Sequence, residues 1–264
     1  MLDMSLQDCD YPTSDGQPMA ETDVHRDQMV DLIETLQWYF REHPDVYVSG
    51  NLLLFYQEGD RHRHVSPDVL VTLGIPAGRR KNYLVWREGK APDIVFEFTS
   101  TSTRSEDLGS KRGLYAFLGV KEYVLFDPRE EYLEPRLRLY RLRDENYLPV
   151  VGRFRLETLG LELVVVDDQL RLLDPATNTL LPKASERADR AESGRAEAES
   201  ARAESESALA EAESARAEAE SARAEAESAR AAAESALADS ERQRAALEQR
   251  LRELEGANGG PASC

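Results

Sequence analysis

The chain has 264 residues, a formal net charge of −17 and a sequence pI of about 4.8, an acidity that argues against a broad nucleic-acid-binding surface. Two cysteines, Cys9 and Cys264, lie one near each end, which argues against a disulfide framework or a cysteine-ligated metal and suits a reducing compartment. There is no run of eighteen apolar residues and no basic start followed by an apolar stretch, so a soluble cytoplasmic protein with no membrane contact is expected.

The charge is spread over two unlike parts. Residues 1–183 carry 31 acids and 22 bases, net −9, together with every aromatic residue; residues 184–264 carry 19 acids and 11 arginines, net −8. Only the first part can bury a sizeable core. The expected organisation is an irregular arm over 1–19, a folded domain over 20–183, a helical extension over 184–255 and a disordered tail over 256–264.

After the arm, Thr22 or Asp23 reads as an N-cap. Met29, Leu32, Ile33, Leu36 and Phe40 then recur at helical spacing until Pro44. Glu21 and His25 fall at the mouth of this helix, where an acid suits the dipole and a histidine needs no special task. Residues 46–56 read as one or two strands around Gly50-Asn51. Arg61-His62-Arg63-His64 lacks the partners of a zinc site and reads as a solvated basic loop; Arg79-Arg80-Lys81 is a second basic cluster. Between them the segment from Val65 to Val71 places Asp68 within a β-type run. A short strand over 83–86 and a turn at Gly89 lead to the run from Pro92 to Ser100. There Ile94, Phe96 and Phe98 share one face, and Val95, Glu97 and Thr99 the other.

A helix is expected from about 105 to 118, with Leu108, Leu114, Tyr115 and Leu118 buried and Gly119 past its end. Asp107 and Lys111 lie four apart on it, the spacing of a surface ion pair. Tyr115 and Tyr123 read as core residues with a wet hydroxyl. Strands over 121–127, 136–142, 147–151, 161–166 and 169–173 complete a mixed α/β sheet domain rather than a doubly wound one. From Ser193 the pattern Ser-Ala-Arg-Ala-Glu-Ala-Glu repeats every seven residues. Ala208, Ala212, Ala215, Ala219, Ala222, Ala226 and Ala229 then keep the alternating four-three rhythm of a coiled coil, although alanine buries little. Leu247, Leu251 and Leu254 supply a more ordinary zipper near the end.

An acid in the middle of a strand is costly unless a cation or donor meets it. Two carboxylates about 4 Å apart repel by roughly 4 kcal/mol at an effective dielectric of 20. If Asp68 and Glu97 face one point, one must keep a proton or a divalent cation must neutralise both. Oxygen ligands without cysteine favour Mg²⁺ or Mn²⁺. A nearby lysine would orient a water or balance developing charge, and Lys111 is available. Asp93, four residues before Glu97, would be about 13 Å away along a strand and belongs to a turn beside Pro92.

These residues carry a resemblance. Ser66-Pro67-Asp68-Val69, Ala91-Pro92-Asp93 through Ser100, Thr103-Arg104, Asp107 through Arg112, Tyr115, Gly119 through Tyr123 and Asp127-Pro128 resemble the Uma-two family, restriction-endonuclease-like members of the PD-(D/E)XK superfamily, over about residues 20–175. The resemblance implies an αβββαβ core and divalent-metal-dependent cleavage of DNA phosphodiesters. It makes Asp68 and Glu97 the metal-holding acids. Where the superfamily places a lysine two residues after the second acid, this chain has Thr99, so Lys111 would be its migrated replacement. The competing expectation is a catalytically degenerate fold that works as a binding or assembly module. In either case a homodimer through the C-terminal helix is expected.

Overall fold

The structure is a computed structural model that describes residues 11–14, 22–100 and 104–257. The expected arm therefore lies outside the described residues apart from residues 11–14, as do Glu21, both cysteines and residues 258–264 of the tail. The chain divides into two units, Met1–Arg190 and Ala191–Cys264.

Helix α1 spans Asp23–Tyr39, with Thr22 in an extended conformation accepting a hydrogen bond from the His25 N–H at 3.3 Å. This hydroxyl satisfies one of the orphan donors of the first turn. Strands β1 (Val46–Ser49), β2 (Leu54–Phe55), β3 (His64–Val65), β4 (Val69–Leu73) and β5 (Tyr83–Leu84) follow, then the single turn α2 (Val85–Glu88), closed by Gly89 at φ 76°. Next come β6 (Ile94–Phe98), α3 (Arg104–Leu108), α4 (Ser110–Phe117) and β7 (Glu122–Phe126). The domain ends with β8 (Leu137–Arg143), β9 (Asn146–Pro149), β10 (Phe154–Leu156), β11 (Leu161–Val166), β12 (Gln169–Asp174) and β13 (Thr179–Leu180), before α5 (Ala184–Ala257).

The central sheet has the order β1-β4-β6-β7-β8-β9, with β6 and β7 parallel and every other pair antiparallel. It is a mixed sheet. Setting aside the small β3-β2-β5 sheet inserted between its strands, the core runs α1, β1, β4, β6, α4, β7 and so has the expected αβββαβ order. Alternation along β6 sets the layers. Ile94, Phe96 and Phe98 face α1 and the four-stranded β10-β11-β12-β13 sheet, in one core with Met29, Leu32, Leu36, Leu163 and Leu172. Val95 faces the other way, into a second core with Tyr115, Tyr123 and Leu125 beneath α4. Glu97, in phase with Val95, is thereby aimed at α4.

Three expectations need correction. Asp68 is not inside a strand; it stands one residue ahead of β4. The helix expected over 105–118 is broken at Gly109, whose φ of −117° and ψ of −92° are not helical. A Cβ there would lie 2.9 Å from the Ser105 carbonyl oxygen, so glycine suits the break. The strand expected over 83–86 is two residues long and passes directly into α2.

Gly50 links fold and site. A Cβ added to it would lie 2.0 Å from the Asp68 backbone oxygen and 2.7 Å from Ile33 Cδ1. Because one of those contacts is backbone, Gly50→Ala must displace the Asp68 segment, at a cost of about 1–3 kcal/mol. Gly113, on α4, has open space around a Cβ, so Gly113→Ala should gain about 0.5–1 kcal/mol. Urea unfolding of the two variants should shift the midpoint in opposite directions.

Candidate active site

The β4–β6 ladder ends at Val69, paired with Phe96, and Asp68 stands just beyond it, near enough to Glu97 for the two charges to interact. Asp68 is fixed by its surroundings: its Oδ2 accepts from the Phe98 N–H at 2.6 Å and lies 3.3 Å from His25 Nε2. His25 itself is buried, its ring 5.6 Å from that of Phe98.

Glu97 is 1% exposed. α4 meets it with two donors one turn apart. Lys111 Nζ donates to Oε2 at 3.0 Å, and the Tyr115 hydroxyl donates to Oε1 at 2.7 Å. The same ammonium lies 3.1 Å from Asp107 Oδ1, on α3. Asp107 is wholly buried, and Tyr123 donates to its backbone carbonyl at 2.9 Å. The Asp107–Lys111 contact, at the spacing of a surface pair, is thus interior, and the Tyr115 and Tyr123 hydroxyls bond to protein groups rather than water.

The electrostatics follow from counting charges. Burial pushes the Glu97 carboxyl up to about 8, with Asp68 and Asp107 adding to the rise while Lys111 and the Tyr115 hydrogen bond offset only part of it. Burial alone would lower the Lys111 ammonium, but the carboxylates of Glu97, Asp107 and Asp68 overcome this and raise it above its ordinary value. The surrounding acids thus favour the protonated form of Lys111. Removing one partner of such a buried pair costs about 3–5 kcal/mol.

The remaining expectations fall into place around this cluster. Thr99 is buried; its N–H donates to the Phe126 carbonyl at 2.8 Å, and its hydroxyl makes no hydrogen bond among the described residues. Asp93 is at the opposite end of β6, where its carboxylate receives the Leu73 N–H at 2.8 Å and pairs with Lys90 at 2.7 Å and Lys121 at 2.8 Å. It is an anchor for the sheet. Arg61, His62 and Arg63 are exposed in the β2–β3 connection. Arg80, by contrast, is committed internally: it pairs with Glu88 at 2.7 Å and lies 3.9 Å over the Tyr47 ring. Sequence reasoning left His25 without a role. A histidine in a first turn is an ordinary sight, and its approach to Asp68 spans 43 residues of chain.

The donor set is compatible with a hard divalent cation. Among the described residues no group of three or more His, Cys, Asp or Glu side chains could hold a metal ion. Mg²⁺, however, is commonly held by one or two carboxylates with water completing its shell.

Element order and strand register define a mixed α/β protein with an αβββαβ core, and the family match identifies it as restriction-endonuclease-like. The chain belongs to the Uma2 family, described as "putative restriction endonuclease", whose model matches residues 2–172. It is also similar to the crystal structure of a putative nuclease belonging to DUF820 from Anabaena variabilis ATCC 29413. That similarity has a TM-score of 0.39 and 16% identity, covering 57% of this chain and 75% of that one. No curated protein matches the chain.

A carboxyl that titrates higher folded than unfolded binds its proton more tightly in the native state, so its ionisation erodes stability as pH rises from the ordinary carboxylate value through about 8. Glu97→Gln should flatten that decline. Denaturant titrations at about pH 5 and pH 8 would check it; an unchanged slope in the variant would mean that Glu97 is not the group responsible.

Proposed function

We propose that the domain hydrolyses DNA phosphodiester bonds with a bound Mg²⁺ or Mn²⁺. The reading is carried by the convergence of Asp68, Glu97 and Lys111 from three separate chain segments. The name of the Uma2 family supports nucleic acid, and DNA in particular, as the substrate. Asp68 and Glu97 would hold the cation, which when bound polarises a phosphodiester and lowers the pKa of an attacking water.

The chain's own residues have distinct tasks. Lys111 offers a fixed positive charge to the phosphate as its negative charge grows. Asp107 steers that ammonium, and Tyr115 holds one Glu97 oxygen so that the carboxylate keeps its direction. The Phe98 N–H and His25 hold Asp68 beside it. Thr99 stands at the superfamily's lysine position as a neutral neighbour, and Lys111 supplies the charge instead.

Plasmid incubated with Mg²⁺ should be nicked by the wild-type chain. Asp68→Ala, Glu97→Ala and Lys111→Met should each lose about 10²-fold or more. Equal nicking by all four proteins would mean a contaminant and would remove the support for this reading. The absence of nicking by folded wild type with either metal would favour the assembly-module reading, which the neutral Thr99 and the enclosed Glu97 carboxylate also suit.

The cation has its own readout. At about 100 times its dissociation constant it should add about 2.7 kcal/mol to wild-type stability. A thermal melt would show the shift, and Asp68→Ala should show none. We also take the working form to be a pair of chains joined through α5.

A further inference from the structure

Helix α5 runs from Ala184 to Ala257, and from residue 191 to residue 253 its side chains are exposed at every position but Ala238, which is intermediate. Leu209, Leu237, Leu247 and Leu251 are exposed by 58–64%. A helix this long with four outward leucines has a face that wants a partner. We propose that the partner is a second copy of α5, lying parallel and in register. This deepens the pairing stated above and does not depend on nuclease activity.

The argument is in the charges flanking the seam. With Ala212, Ala219, Ala226 and Ala233 at heptad position a, and Ala208, Ala215, Ala222 and Ala229 at d, arginine or leucine falls at e and an acid or alanine at g. In a parallel in-register pair each g residue meets the e residue five positions further along the other chain. The matches are then Glu197 with Arg202, Glu211 with Arg216, Glu218 with Arg223, Glu225 with Arg230 and Asp239 with Arg244.

The exceptions follow the same logic. Where e is Leu237 or Leu251, the facing g residue is Ala232 or Ala246, so an apolar residue meets an apolar one. From Arg195 onward only Leu209, facing Glu204, breaks the rule; ahead of it Arg190 at g would face Arg195 at e. An antiparallel pair would instead set g against g and e against e, acid on acid and arginine on arginine, which is unfavourable. Shifting a parallel pair by one heptad would set, along one flank, Arg230 and Arg244 against Ala232 and Ala246, and Leu237 and Leu251 against Asp239 and Glu253.

In the single chain these arginines find weaker partners. Arg202 pairs with Glu206 at 2.9 Å and Arg230 with Glu234 at 3.1 Å along the same helix, all four side chains well exposed. Such pairs contribute little, so the guanidinium groups can turn to the second chain at small cost. Because alanine seams bury little, the charge matches carry much of the association, and it should be salt-sensitive.

The test uses the full-length chain with Cys9→Ser and Cys264→Ser. Analytical ultracentrifugation should show a monomer–dimer equilibrium that weakens about tenfold or more between low and high salt. Ala201→Cys, far from the helix midpoint, should form a disulfide-linked dimer under mild oxidation, since a parallel in-register pair sets identical d positions together. A chain with Glu211→Arg, Glu218→Arg and Glu225→Arg should be monomeric, and so should one with Arg216→Glu, Arg223→Glu and Arg230→Glu. Mixed together, they should form a heterodimer, with circular dichroism confirming that both remain helical. A monomer at every attainable concentration, no cross-link at position 201, or failure of the helical mixture to pair would overturn the proposal.

Discussion

The interaction on which the rest depends is a buried glutamate met by one helix. Glu97 lies on the central sheet with almost no exposure, and an isolated carboxylate there would cost several kcal/mol. α4 answers it with an ammonium and a hydroxyl one turn apart, at 3.0 and 2.7 Å. That pairing ties α4 to β6. The same contact pins Lys111 where Asp107 can hold it from the other side. Burial above all, with Asp68 and Asp107 adding to it, raises the Glu97 carboxyl.

The two ends of β6 show how one strand separates structure from chemistry. At its start Asp93 has a full set of partners, two lysines and a backbone N–H. Those contacts overcome burial and hold its carboxyl below the ordinary range. At its far end Glu97 shares its cation with Asp107 and faces another acid. The first arrangement holds its carboxyl below the ordinary range; in the second, burial raises the carboxyl to about 8. Gly50 belongs to the same design, since its missing Cβ lets the β1–β2 connection press against the Asp68 backbone.

α5 obeys different physics. In its first turn, which belongs to the domain, Glu186 pairs with Arg171 at 2.9 Å and Arg187 lies 5.0 Å over the Trp38 ring. Beyond that turn its alanine, glutamate and arginine content favours helix without burying apolar surface. The regularity of its heptads and the alternation of its charges are the grounds of the parallel pairing proposed for it.

The sequence by itself determined the elements with strong periodicity. The α1 stripe and cap, the two faces of β6, the strand over 161–166 and the heptads of α5 are all local patterns, and local patterns survive folding. It also marked Asp68, Glu97 and Lys111, because acids in apolar runs and a lysine on an adjacent helix stand out. Only the tertiary structure decided that the Asp68 carboxylate accepts the N–H of Phe98, next to Glu97, that Gly109 breaks the helix before Lys111, and that His25 reaches Asp68. Each of these depends on strand register or on contacts between residues far apart in the chain, and such contacts leave no periodic trace along it.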